Sequence, residues 1–199
     1  MDHGCGNQDR KIETMKRKVY IETCVISYLT ARPSNDSIKS ACQQITRLWW
    51  DSGRTSFLAF ISPYVVEEAS AGDPLAALER IDALRPIPVL SIAPEILALA
   101  EFLLLGGGLP ANARLDALHI ACAAYHEMDV LVTWNCSHIA NPTKLPVMRG
   151  LCAARGYSLP ELVTPFRAIA YTNGMGFSLP FCEKARRMRD SRYSGWRSA

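Results

Sequence analysis

The sequence predicts a three-layer α/β/α domain with a mainly parallel central sheet. Short apolar runs alternate with stretches of helical periodicity along most of the chain. Val130, Leu131 and Val132 form a continuous, largely β-branched run, the pattern of a strand buried on both faces. The stretch from Leu115 to Ile139 reads as helix, tight connection and buried strand, the unit from which parallel sheets are built.

Taken in order, residues 1–17 are polar and mixed in charge and read as a flexible leader. Val19, Tyr20 and Ile21 form the first strand, and Glu22 ends it. Thr23 can cap the helix that runs on through Leu29. Ala31-Arg-Pro-Ser breaks that helix. Ser37 to Trp50 is a second helix, with Ile38, Cys42, Ile45, Leu48 and Trp49 spaced for one face. Phe57 to Ile61 is the second strand. Pro63 suits the first turn of a helix carrying Val65, Val66, Glu67 and Glu68. Gly72-Asp73-Pro74 stops it and starts another, Leu75 to Leu84. Pro86 to Ile92 holds a third strand, and Pro94 opens a helix that ends at Gly106-Gly-Gly. Asp116 opens the helix before the Val130 strand, with an N-cap as the simplest role for its carboxylate. A helix follows from about Leu145 to Ala154, and a short strand near Leu162 and Val163 closes the domain at Pro165. These elements place the structured domain at 18–166 and leave 167–199 as a basic tail.

The chain has 199 residues, 49% of them hydrophobic, which suits one well-packed domain. Its net charge of +3 does not argue for nucleic acid. The tail is more biased, since Lys184, Arg186, Arg187, Arg189, Arg192 and Arg197 face only Glu183 and Asp190. Such a tail can bind polyanions or simply be solvated. Seven cysteines without a C-x-x-C pair argue against a disulfide framework and for a reducing compartment, hence the cytoplasm. His3 and Cys5 are too few to make a metal site. No secretory signal is visible, and the most apolar helix, Ile96 to Leu105, is too short to span a membrane.

A parallel sheet brings the carboxyl ends of its strands to one edge, where ligand chemistry collects. Glu22 ends strand one and Asn135 follows the Val130 strand. Glu68 lies early in the helix after strand two. These side chains are expected to converge; Asp116 precedes its strand, so this argument does not fix its position. Clustered carboxylates repel one another and raise each other's pKa, and a divalent cation removes that cost. Hard oxygen ligands favour Mg²⁺ or Mn²⁺ over zinc. Each residue also has a plainer role: Glu67 or Glu68 as a solvated helix residue, Asn135 as a turn former. His119, one turn after Asp116, reads as a satisfied core histidine rather than a ligand.

At these residues the chain resembles a known family. KVYIETCVISYLTARPS, VVEEASAGDP, DALHIACAA and DVLVTWNCSHIANP together look like the PIN domain, most of all the VapC-type toxins of bacterial type II toxin–antitoxin systems. The resemblance covers about residues 18–166. It implies a metal-dependent endoribonuclease that uses Mg²⁺ or Mn²⁺ to hydrolyse RNA phosphodiester bonds. The family's four acids fall on Glu22, Glu68, Asp116 and Asn135, which would be both catalytic and metal-binding. Glu22 stands where the family usually has Asp, and Asn135 replaces a commonly charged residue by a neutral one. Thr23 matches the small hydroxyl residue that positions substrate. The implied partners are RNA, a cognate antitoxin protein and a second copy of the chain as a homodimer. Asn135 motivates the alternative of a catalytically weak PIN-like module that binds RNA or protein. A nucleotide-cofactor enzyme is disfavoured, because neither G-x-G-x-x-G nor G-x-x-x-x-G-K-[ST] occurs in the required context.

Overall fold

The structure, a computed structural model, describes residues 16–171. The leader before residue 16, with His3 and Cys5, and the basic tail beyond Tyr171 lie outside the described residues. Within them the fold is a three-layer α/β/α domain. The four strands are β1 (Arg17–Ile21), β2 (Phe57–Phe60), β3 (Val130–Val132) and β4 (Glu161–Val163), all parallel in the order β2-β1-β3-β4. Val19, Tyr20 and Ile21 in β1 and all of β3 are fully buried, as their unbroken apolar runs require.

The helices are α1 (Thr23–Thr30), α2 (Ser37–Leu48), α3 (Pro63–Ser70), α4 (Pro74–Leu84), α5 (Pro94–Leu105), α6 (Arg114–Tyr125), α7 (Leu145–Ala154) and α8 (Pro165–Ala170). One group, α1 to α4 with α8, packs together; α5, α6 and α7 form another. Proline opens α3, α4, α5 and α8 at the first turn, where the missing N–H costs nothing. The chain leaves β1 towards β2 on one side and then crosses to β3 on the other. The carboxyl ends of β1 and β3 therefore flank the point where strand order reverses, the usual crevice of such sheets.

Helices α5, α6 and α7 end alike. In each, two backbone N–H groups fold back onto the last turn, around a residue with positive φ. That residue is Gly107 or Gly156 in two of them but Glu127, at φ 54°, in α6. The turn at Glu127 sends the chain directly into β3.

Several elements differ from the sequence expectation. The strand expected over Pro86 to Ile92 is reduced to a single parallel bridge between Val89 and Ile61. Pro86 and Pro88 lack the N–H donors that a longer ladder needs. Helix α2 is rotated from the expected face: Gln43 and Thr46 are buried and Cys42 and Ile45 half-buried, while Ile38 and Leu48 are 78% and 57% exposed; Trp49, just past the helix, is buried as expected. Gln43 and Thr46 are admitted to the interior by their bonds. The Gln43 amide donates to the Arg32 carbonyl at 2.8 Å, and the Thr46 hydroxyl donates to the Cys42 carbonyl at 2.7 Å. The chain does not stop at Pro165 either. Thr164 caps α8, and Ala168 within it is fully buried, so the packed unit continues past the expected boundary at 166.

Candidate metal centre at the sheet edge

Glu22 directly follows β1 and is the N-cap of α1, the role expected of Thr23. Its Oε1 accepts from the Cys24 N–H at 3.1 Å. A carboxylate here also faces the positive end of the helix dipole. Glu22 is only 6% exposed, so it needs partners, and it has them. The Thr133 hydroxyl, just past β3, donates to Oε2 at 2.7 Å, and the Cys24 thiol donates to the same oxygen. Burial and then the Glu22 charge push the Cys24 thiol well up, so it stays protonated as a donor. The Glu22–Thr133 bond spans the crevice between β1 and β3.

Glu68 lies in the second half of α3, not early in it. The helical turn decides between the two neighbouring acids: Glu67 is exposed, whereas Glu68 points inward. Its Oε2 accepts from the Thr23 hydroxyl at 2.5 Å and from His119 Nε2 at 2.8 Å. Burial opposes ionisation of Glu68, but the bonds from His119 and Thr23 outweigh it and hold the carboxyl below its ordinary value. Among the described residues all of its hydrogen bonds fall on Oε2, which leaves Oε1 open.

His119 is 1% exposed and hydrogen-bonded on both nitrogens. It is a satisfied core histidine, as read from sequence, and it also belongs to the acidic group. Glu22, Glu68 and His119 each bring one potential ligand atom within 4.8 Å of the others. On its inner side His119 Nδ1 meets the Tyr20 hydroxyl at 2.7 Å, and that hydroxyl meets Ser62 Oγ at 2.6 Å. Burial holds the Tyr20 phenol well above its ordinary value, so it keeps its proton.

Asp116 does not cap its helix. Helix α6 starts at Arg114, and the carboxylate sits in the first turn with other partners. Asn135 Nδ2 donates to its Oδ1 at 3.0 Å, and His138 Nδ1 pairs with its Oδ2 at 2.7 Å. Asp116 is thus outside the group formed by Glu22, Glu68 and His119. Asn135 lies three residues past β3 and does form a turn, its Oδ1 accepting from the His138 N–H at 3.0 Å. The two clusters touch through Thr133, whose hydroxyl accepts from the Asn135 N–H at 2.8 Å while donating to Glu22.

The structure therefore brings Glu22, Glu68 and His119 together, with Thr23 and His119 bonded to Glu68, and joins Asp116 to Asn135. Sequence reasoning missed Thr133, Cys24 and His138, and it undervalued His119. One signal was available for His119: it is the single polar side chain in the run of buried residues Ala117 to Ala124. The donor set of two carboxylates beside one imidazole fits a divalent ion. No family model matches the chain, and no curated protein matches it. Among the described residues no helix is long and apolar enough to cross a membrane.

Proposed function

We propose that the protein is a divalent-metal-dependent nuclease that hydrolyses RNA phosphodiester bonds. The observation that carries this reading is the approach of Glu22, Glu68 and His119 to within 4.8 Å at the carboxyl edge of a parallel sheet. The buried Glu22 and the half-buried Glu68 offer carboxylate oxygens to the same point, a donor set suited to a hard divalent cation. Glu22 and the open Oε1 of Glu68 would hold Mg²⁺ or Mn²⁺. When bound, the ion would lower the pKa of a water and offset charge on the leaving oxygen. Thr133 and Thr23 fix the two carboxylates, each through a hydroxyl. Asp116 and His138 lie beside them, on the far side of the Thr133–Asn135 link, as candidates for contact with substrate.

The preference for RNA, the role as a toxin, the antitoxin partner, the homodimer and a cytoplasmic setting rest on the resemblance of the sequence to VapC-type PIN domains. Thiol-based catalysis is disfavoured, because Cys24 is held as a neutral donor by burial and by Glu22. The second reading, a catalytically weak module that binds RNA or protein, draws on Asn135. It is neutral, and its amide is spent on Asp116 and on its own turn.

Full-length protein incubated with RNA and Mn²⁺ is expected to cut the RNA, and chelation is expected to stop it. Glu22→Gln should lower the rate at least about 100-fold, in keeping with loss of metal-assisted chemistry, while the circular dichroism spectrum stays unchanged. RNA binding without cleavage by the wild type would favour the second reading.

A further inference from the structure

His119 can stand towards an ion at this edge in two ways, and the atoms around it decide which. Its Nε2 lies 2.8 Å from Glu68 Oε2, too close for two lone pairs, so the proton belongs on Nε2. In the neutral ring Nδ1 then accepts. The hydroxyl of Tyr20, 2.7 Å away and fully buried, is the donor. The hydroxyl of Ser62, also fully buried and 2.6 Å from the Tyr20 oxygen, can in turn donate to Tyr20. The protons then run one way, Ser62 to Tyr20 to His119 to Glu68, and every group is satisfied. In the reverse direction a bare nitrogen would face the Glu68 carboxylate.

We propose that Tyr20 determines the metal specificity of this edge. By donating to Nδ1 it reinforces the proton that Glu68 draws to Nε2, so His119 positions Glu68 and is withheld from the ion. The ligand set is then oxygen only, which selects hard ions such as Mg²⁺ and Mn²⁺ and disfavours zinc. Ser62 supports Tyr20 in this role. Without the phenol only Glu68 holds the proton on Nε2, and freeing that nitrogen as a ligand becomes easier by one hydrogen bond. This inference rests on the proposed metal centre for its functional meaning, but the tautomer of His119 can be read without any metal.

The test has two arms. In metal-free ¹⁵N-labelled protein, long-range ¹H–¹⁵N correlation spectra of the His119 ring are expected to show the Nε2–H tautomer. An Nδ1–H tautomer or a doubly protonated ring overturns the proposal. Calorimetric titrations with Zn²⁺ and with Mn²⁺ then compare the wild type with Tyr20→Phe. The ratio of zinc to manganese affinity is expected to rise about fivefold, the worth of one net hydrogen bond. Ser62→Ala should move the ratio the same way by less, and it supplies the comparison if Tyr20→Phe does not fold. An unchanged ratio in a folded variant overturns the specificity role. A wild type with the Nε2–H tautomer that binds neither ion overturns the metal reading and, with it, the proposed specificity; the direction of the relay would stand.

Discussion

At the scale of single residues, the edge is held by hydroxyl groups as much as by acids. Thr133 donates to Glu22 and accepts from the Asn135 N–H, so Thr133→Val removes a bond to a buried charge and leaves a backbone donor unpaired. We expect a loss of about 1.5–3 kcal/mol in urea denaturation. Glu68 gives a pH test. Its folded pKa is lowered by its bonds to His119 and Thr23, so its stabilisation is present above the ordinary value of 4.5 and is lost as pH falls through the folded value. Stability of the metal-free protein should therefore drop on acidification below about 4.5, and Glu68→Gln should flatten that part of the profile. A profile unaltered by the substitution would mean that Glu68 titrates as it does in the unfolded chain. Glu22 was legible in the sequence because a strand end places it, whereas Glu68 came from the family resemblance and is set apart from Glu67 only by the helix phase that the structure shows. Thr133 was not legible, because a hydroxyl beside an apolar run looks the same whether it serves the core or a site, and for His119 only the core role was read.

At the scale of elements, helix ends and helix faces offer two checks. The left-handed turn after α6 is filled by Glu127, where the equivalent turns after α5 and α7 have glycine. A side chain there is strained, so Glu127→Gly should raise stability by up to about 1 kcal/mol in thermal or urea unfolding. The face of α2 offers the second check. Ile38→Glu and Leu48→Glu should leave the isolated chain within about 0.5 kcal/mol of the wild type, because both positions are exposed. Thr46→Ala should cost about 1–3 kcal/mol, because the Trp134 indole N–H donates to its hydroxyl at 2.8 Å. The reverse order of effects would restore the face that periodicity suggests. Spacing could not resolve this helix, since Ile38 and Leu48 of its apolar stripe lie outside while Gln43 and Thr46 are drawn in by local bonds. Prolines misled in a similar way: Pro63, Pro74 and Pro94 mark helix starts correctly, while Pro86 and Pro88 cut an expected strand to one bridge.

At the scale of the whole molecule, strand order is what turns scattered acids into a group. Placing β1 between β2 and β3 puts Glu22 against Thr133 and lets α3 carry Glu68 back over α1. The fold class was legible because fully apolar strands alternate with helices. The division of the polar residues into two clusters was not, because it depends on Asp116 turning towards Asn135 and His138. The central claim is that the edge holds a divalent ion through Glu22 and Glu68, and calorimetric titration of the full chain with Mn²⁺ tests it most directly. The account predicts saturable binding by the wild type that is lost in folded Glu22→Gln and Glu68→Gln proteins. Absence of binding to the wild type, or equal binding by both variants, would contradict it.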